Sequence, residues 1–263
     1  MEKIDYLSSP IPDINLINGS YKKFAFQKHY HLDYHFGLIV SGQQQFQLKG
    51  SSYTSGPGDL VLMPPDELHD GQARFEEGYE VKVLAVSPPW LTQFSMSNSS
   101  GGLGFHSPIV REPGLFRSLL DTHQTLSTNQ VSALALDCIP LDSFQNILDR
   151  HGKPLSTETH AIGTKSLKLI RDYVMANLDQ AIRLEQLAKL CDLSPRQFHR
   201  QFKLATGMSP HAWLTRLRLE KSMTLMKAGK SAIQVALQTG FYDQAHFSKA
   251  FRNVYGVSPS NIN

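Results

Sequence analysis

The C-terminal part of this chain contains the same sequence pattern twice. Phe198, Phe202, Gly207, Ser209 and Pro210 recur 49 positions later as Phe247, Phe251, Gly256, Ser258 and Pro259. Ala188 and Leu193 recur only 48 positions later, as Ala236 and Phe241, so the second copy carries one extra residue in its turn. Chance is a poor explanation for this match. The region therefore folds the same supersecondary unit twice.

Each copy has the sequence features of a helix-turn-helix, in which a short helix, a tight turn and a second helix follow one another. Ser194 suits the N-cap of the second helix, with Pro195 at its first position, and Asp243 takes the N-cap role in the second copy. The phenylalanines stand four residues apart and share one helix face, which we expect to be buried. The predicted short helices span 184–191 and 231–239, and the second helices lie near 195–206 and 243–255.

The faces opposite the phenylalanines carry side chains that suit DNA. Arginine and glutamine match the guanine and adenine edges in the major groove, and lysine and the remaining arginine suit phosphates. The predicted DNA-binding residues are Arg196, Gln197, His199, Arg200, Lys203, Gln244, Ala245, His246, Lys249 and Arg252.

A predicted helix from Pro210 to Ala228 joins the two units. Its length of roughly 28 Å compares with about 34 Å for one turn of B-DNA, so both second helices could enter successive major grooves of one duplex. The alternative is that this basic helical region is a bundle that binds a protein partner.

Charge is distributed unevenly along the chain, whose net charge is +3. Residues 1–150 hold ten Lys and Arg against sixteen Asp and Glu, whereas residues 164–263 hold fifteen against six. A basic C-terminal region indicates a polyanionic partner, although many solvated surfaces are basic as well. Hydrophobic residues make up 41% of the chain, which predicts packed domains rather than disorder.

The sequence gives no indication of a membrane span or a signal peptide. Cys138 and Cys191 are far apart and in no metal or redox spacing, which favours small buried thiols in a reducing compartment. We therefore expect a cytoplasmic protein with no membrane partner.

The N-terminal half has a different pattern. From Tyr21 to about Val86, short strand-like segments alternate with Gly, Ser and Pro turns, which favours a small antiparallel barrel or sandwich. Two helices are predicted near 114–126 and 129–149, and the stretch 151–163 has the composition of a linker.

Nearly the whole of residues 164–263 resembles the AraC/XylS family of bacterial regulators. The resemblance is carried by SLKLIRDYVMANL, by LEQLAKLCDLSPRQFHRQFKLATGMSPHAWLTRLRLEKSMTLM and by AIQVALQTGFYDQAHFSKAFRNVYGVSP. In that family the base-contacting positions lie on the second helix of each unit, which corresponds to the faces named above. The chain departs from the family after its last Ser-Pro, where Ser260 and Asn261 replace the usual Tyr-Arg, so we expect a short final helix.

Four histidines stand out in the N-terminal half: His29, His31, His35 and His69. His29 and His31 are two apart on a predicted strand and therefore share one face. Together with the run from Gly58 to His69, their spacing resembles the paired motifs of cupin barrels. The region also resembles the sensor half of AraC-type regulators, through Tyr34, Gly37, Gly42 and the run from Gly58 to Gly71. Cupin enzymes hold a metal on such histidines plus a carboxylate, and here His35 stands at the carboxylate position.

Three interpretations of these histidines stay open: a divalent metal site, recognition of an effector, or structural hydrogen bonding at the barrel rim. The barrel mouth is the default place for a small ligand. The candidate effector-binding residues are His29, His31, Tyr34, His35, His69 and Trp90, and the candidate metal ligands are His29, His31, His35 and His69.

The predicted fold class is α+β and multidomain: a cupin-like β-barrel followed by helices, then an all-α domain with two helix-turn-helix units. We place the barrel at 1–112, a helical dimerisation or linker segment at 113–150, a linker at 151–163 and the DNA-binding domain at 164–263. Simple packing of 113–150 on the barrel is the alternative to dimerisation.

The favoured function is a sequence-specific transcription regulator, not an enzyme, controlled by a small-molecule effector in the barrel. Its expected partners are double-stranded DNA, the effector, a second copy bound through 113–150, and RNA polymerase. No cofactor is required, although a divalent metal could occupy the barrel. The competing hypothesis is a metal-dependent cupin enzyme with an attached helical domain. The missing carboxylate and the doubled helix-turn-helix count against it.

Overall fold

The computed structural model describes residues 2–94, 103–128, 131–154 and 162–262. The chain divides into two compact units, residues 1–155 and 156–263. The first is rich in strands and the second is helical, which confirms the predicted fold class. Most of the predicted linker, residues 155–161, lies outside the described residues.

The described part of the first unit contains two main sheets and a small strand pair. Its strands are β1 Lys3–Ser8, β2 Ile14–Tyr21, β3 Phe26–His29, β4 Tyr34–Gly42, β5 Gln44–Leu48, β6 Ser51–Ser55, β7 Leu60–Met63, β8 His69–Ala73, β9 Tyr79–Val86, β10 Leu103–Phe105, β11 Ile109–Val110 and β12 Gly152–Pro154. One sheet has the order β1-β2-β9-β4-β7-β11, and the other has the order β3-β8-β5-β6. The pair is β10 with β12.

The two main sheets contact each other through aromatic rings, and we call them together the barrel. Tyr21 of β2 meets Phe26 of β3 edge to face, with ring centroids 5.0 Å apart. Strands β1 and β2 precede the region in which the sequence predicted strands, which began at Tyr21. The burial of Ile14 and Leu16 against the partial exposure of Asn15 and Ile17 is the alternation expected of a half-buried strand, whereas Tyr21 is buried on the opposite face.

Helices cover one face of the six-stranded sheet. They are α1 Pro88–Leu91, a 3-10 turn Thr92–Phe94, α2 Pro113–Ser127, α3 Ala133–Ile139, a π-helical segment Pro140–Gln145 and α4 Asn146–His151. Phe36 of β4 and Phe144 of the π-helical segment are both fully buried, with ring centroids 5.4 Å apart. Leu119 and Ile147 join the same core. Residues 113–151 therefore share a hydrophobic core with the sheet.

This core also contains a buried histidine. His123 of α2 has no exposed surface. Burial, with a smaller contribution from Lys82, lowers its pKa to about 4. The ring is therefore neutral at physiological pH, as a side chain packed in an apolar core must be.

The second unit consists of α5 Thr164–Ala176, α6 Leu184–Lys189, α7 Pro195–Thr206, α8 Pro210–Lys227, α9 Ala232–Gln238, α10 Gln244–Tyr255 and a 3-10 turn Pro259–Asn261. The short final turn agrees with the departure from the family pattern seen in the sequence. Both helix-turn-helix units are present, α6 with α7 and α9 with α10.

The predicted helix caps are confirmed. The Ser194 hydroxyl accepts a hydrogen bond from the Gln197 amide at 3.3 Å, and the Asp243 carboxylate accepts one from the His246 amide at 2.7 Å. These bonds satisfy amides that have no partner inside the helix. At the other ends, α7 stops at Gly207 and α10 at a glycine 49 residues on, both in the left-handed conformation.

Helix α8 contacts both helix-turn-helix units. Trp213 meets Phe202 of α7 edge to face at 5.4 Å. The Arg216 guanidinium lies 5.2 Å from the ring centre of Tyr255 on α10. The Ser222 hydroxyl donates to the Thr239 hydroxyl, at the end of α9, over 3.1 Å. Since α8 has 18 residues, it is about 27 Å long.

Candidate DNA-binding surface and histidine site

Helices α7 and α10 each bury one face and expose the other. Phe198, Phe202, Phe247 and Phe251 have no exposed surface, as their four-residue spacing predicted. The ten residues proposed from the sequence as DNA contacts are all exposed: Arg196, Gln197, His199, Arg200, Lys203, Gln244, Ala245, His246, Lys249 and Arg252. Each helix therefore presents a polar face whose orientation is set by the phenylalanines behind it.

The cations on these faces are available to a polyanion. Within the described residues, Arg196, Arg200, Lys203, Lys249 and Arg252 form no ion pair with a carboxylate. Ion pairing inside the protein would have to be broken before such a group could bind phosphate. Its absence here means that DNA competes only with water and salt.

Two of the ten residues have local structural roles that the sequence did not reveal. The Gln197 side-chain oxygen accepts hydrogen bonds from the Ser194 amide at 3.1 Å and from the Ser194 hydroxyl at 2.8 Å, which completes a capping box. The His246 ring packs edge to face on Phe241 at 5.4 Å. The spacing Ser-x-x-Gln was a signal for the first of these contacts.

The barrel brings three histidines together. His29 of β3 and His69 of β8 are cross-strand partners, both buried, with ring centres 4.4 Å apart. His31 lies 4.8 Å from His29 and 5.0 Å from His69. One candidate ligand atom from each of the three lies within 4.8 Å of the others.

Backbone carbonyls fix the tautomer of two of these rings. Nδ1 of His29 lies 2.8 Å from the Gln27 carbonyl oxygen, and Nδ1 of His69 lies 2.8 Å from the Glu67 carbonyl oxygen. A carbonyl only accepts, so each Nδ1 must carry the proton and donate it. In the neutral rings the lone pair is then on Nε2, the arrangement found in most metal-binding histidines.

The sequence placed His29 and His31 on the same strand, and this is wrong. Strand β3 ends at His29, and its pairing with β8 shifts register between Phe26 and His29. Tyr30 is buried and His31 follows outside the strand. The two rings nevertheless meet, because the chain turns toward β4 at this point.

Of the remaining barrel candidates, His35 lies beside the three-histidine group, and Tyr34 and Trp90 lie elsewhere. His35 of β4 stacks on His31 with ring centres 3.6 Å apart, beside the three-histidine group. The Tyr34 hydroxyl donates to the Leu103 carbonyl at 2.8 Å, on the helix-covered side of the sheet. Trp90 packs on Phe144 in the same core. The structure therefore does not bring Tyr34 or Trp90 to the histidines.

Family models match both units of the chain. A model described as AraC-like ligand binding domain matches residues 11–143, and one described as helix-turn-helix domain matches residues 187–263. The chain belongs to the AraC family. It is thus a DNA-binding transcription regulator with an N-terminal ligand-binding domain.

Sequence relatives and a solved structure agree with this assignment. The chain is 23% identical to the uncharacterized HTH-type transcriptional regulator YbfI of Bacillus subtilis, over 84% of this chain and 81% of that protein. It is also 23% identical to the arabinose operon regulatory protein of Salmonella typhimurium, over 87% and 83%. The crystal structure of unsaturated fatty acid bound ToxT from Vibrio cholerae superimposes with a TM-score of 0.66 and 18% identity, over 97% and 95%, and so shares the fold.

The two sequence relatives are named as regulators, which is the class that the sequence favoured over a cupin enzyme. No helix in the described residues is both long enough and apolar enough to cross a membrane.

Proposed function

We propose that this regulator places α7 and α10 in successive major grooves of one duplex, and that a small-molecule effector in the barrel controls this binding. The observation that carries the first part is the pair of exposed basic faces, each fixed by two buried phenylalanines and joined by α8. Arg200 and Gln244 suit base edges, and Lys203, Lys249 and Arg252 suit phosphates.

The DNA-binding faces can be tested with single substitutions in the full chain. Arg200→Ala and Lys249→Ala should each weaken binding to a duplex enriched from a random-sequence library by about 1–3 kcal/mol. Binding of the wild type should fall steeply with salt, because several phosphates are neutralised. Anisotropy titrations at several salt concentrations measure both effects.

Lys28→Ala is the matched control, since Lys28 is an exposed lysine in the other unit and its loss changes the net charge by the same amount. The control should bind like the wild type. If Arg200→Ala and Lys249→Ala also bind like the wild type, α7 and α10 do not present these faces to DNA.

We place the effector at the group formed by His29, His31 and His69, with His35 beside it. Burial of two of the rings and the fixed tautomers support a site built for a ligand rather than a solvated rim. To change the affinity for DNA, the effector must bind one state of the regulator better than another.

The same three rings support a second candidate ligand, a divalent transition metal. Three imidazole nitrogens suit zinc-like ions, and such sites keep an open position for a further ligand. The group lacks a carboxylate in the position that cupin enzymes use, and His35 stacks on His31 instead of joining the group. We propose that a metal here takes part in effector binding, because the chain is a transcription regulator with a ligand-binding domain.

Calorimetric titration of the metal-free full chain with Zn²⁺ or Co²⁺ tests this candidate. We expect one site per chain, abolished in the His29→Ala/His31→Ala double variant and kept in His106→Ala, which removes an exposed histidine of the same unit. Equal binding by all three proteins would rule out the metal site. If the effector also changes DNA binding by the double variant as it does in the wild type, these histidines are structural.

The remaining parts of the proposal concern domains and partners. We propose the boundaries 1–112, 113–150, 151–163 and 164–263, with 113–150 also forming a homodimer contact. Exposure of Leu134 on α3 (72%) supports a surface available for such a contact. We also propose that the regulator contacts RNA polymerase and is located in the cytoplasm. We propose further that it has no enzymatic activity and no membrane partner.

A further inference from the structure

The second helix-turn-helix carries one residue for which the first has no counterpart. Up to the turn, equivalent residues are 48 positions apart: the Leu193 amide donates to the Ala188 carbonyl at 3.1 Å, and the Phe241 amide donates to the Ala236 carbonyl at 2.9 Å. From the N-cap onward the offset is 49, as Ser194 and Asp243 show. The inserted residue is therefore Tyr242.

Backbone conformation confirms this register. Asp192 and Gly240, again 48 positions apart, both have positive φ, at 53° and 74°. The two turns are thus equivalent up to the residue before Tyr242. The inserted residue lengthens only the segment between the turn and the N-cap of α10.

Both sequence neighbours of Tyr242 are fixed by the fold, but the Tyr242 side chain is exposed to solvent. Phe241 before it is only 6% exposed, and Asp243 after it caps α10. Tyr242 itself is 90% exposed, more than any other large apolar side chain in the described part of the chain. Single exposed apolar residues are common on protein surfaces, so exposure alone would mean little. Its position next to a recognition helix gives it meaning.

We propose that Tyr242 contacts the DNA backbone, donating its hydroxyl hydrogen to a phosphate oxygen beside the groove that α10 enters. Helix-turn-helix proteins direct the N-terminal end of the second helix toward the bases, and Tyr242 directly precedes that end. Tyrosine is a known phosphate donor, and its two side-chain torsions make ordering inexpensive. This inference rests on the proposed function, because it requires the exposed face of α10 to meet DNA.

The contact makes the two units unequal. The first unit passes directly from Leu193 to its N-cap and has no aromatic side chain at this point. The second unit would gain one uncharged phosphate contact in addition to Lys249 and Arg252. Loss of Tyr242 should therefore weaken protection of the operator positions bound by α10 and leave those bound by α7 unchanged.

The test compares Tyr242→Phe and Tyr242→Ala in the full chain, using the library-enriched duplex. Loss of one hydrogen bond to a phosphate should weaken binding roughly 5- to 10-fold in Tyr242→Phe, and Tyr242→Ala should lose at least as much. Because tyrosine is neutral, the slope of log K against log salt should not change, whereas Lys249→Ala should make it shallower by about one.

Thermal unfolding separates a contact from a structural role. An exposed side chain should leave the midpoint of unfolding unchanged in both Tyr242 variants. Leu169→Ala, which removes another exposed apolar side chain of the same unit, serves as the control and should bind like the wild type. Wild-type affinity in both Tyr242 variants, with Lys249→Ala still weakened, overturns this inference alone. Wild-type affinity in all three overturns the proposed orientation of α10 as well.

Discussion

At the scale of single residues, the turn of the second helix-turn-helix depends on a glycine. Gly240 has φ of 74°, and a Cβ added there would meet the Leu178 carbonyl oxygen and, at 2.6 Å, the Arg218 guanidinium. That guanidinium donates to the Gln180 carbonyl at 2.9 Å and so cannot move away freely. Asp192, the equivalent residue of the first unit, tolerates positive φ because aspartate is among the residues that adopt this conformation.

Gly240→Ala should therefore destabilise the chain by about 2–4 kcal/mol, from backbone strain plus the two close contacts. Gly229→Ala is the matched control: its φ is 78°, but nothing lies within 4 Å of the added Cβ. It should cost only the strain, about 1–2 kcal/mol. Urea unfolding of the two variants gives the comparison. Equal losses would mean that the Leu178 and Arg218 contacts relax without cost.

At the scale of elements, the sequence predicted those whose signals are local. The helices of the second unit follow from caps such as Ser194 and Asp243 and from a repeat that marks its own boundaries. Strands β1 and β2 were not predicted, although Ile14 and Leu16 alternate with polar neighbours. The prolines near the start of the chain concealed this two-residue alternation. His31 was placed on β3 because sequence spacing carries no information about where pairing with β8 ends.

The segment predicted as one helix near 129–149 shows the same limit. The structure divides its described part into α3, a π-helical segment and α4. Pro140 begins the π-helical segment and has no amide hydrogen to donate, so the regular α-helical bonding cannot continue through it. The proline is visible in the sequence, but whether a helix stops or changes its hydrogen-bond pattern there depends on packing. Here Phe144 lies buried against Phe36 of the sheet and keeps the segment helical.

The histidine site was predictable only in part for a similar reason. The sequence identified the residue types, but Tyr34 and His35 are neighbours on β4 and point to opposite sides of the sheet. Only the pairing of β4 shows which side faces the core with Phe36. The carbonyls of Gln27 and Glu67, which set the ring tautomers, leave no trace in side-chain patterns.

At the scale of the whole molecule, the uneven charge has a consequence for the affinity of the chain for any DNA duplex. A basic DNA-binding unit attracts any duplex, whereas an acidic unit on the same chain repels it, and neither effect depends on base sequence. The excess of six carboxylates in residues 1–150 should therefore weaken binding to any duplex, specific or non-specific. Repulsion of this kind acts over roughly 10 Å at 0.1 M salt and disappears as salt rises.

Neutralising three exposed carboxylates tests this effect in the intact chain. The triple variant Glu76→Gln, Glu77→Gln and Glu80→Gln should bind a random-sequence duplex roughly 2- to 5-fold more tightly than the wild type at low salt, with the difference lost at high salt. The triple Glu→Asp variant at the same positions keeps the charge and should match the wild type. If the glutamine variant binds no more tightly at the lowest salt concentration, the acidic unit does not influence the approach of DNA.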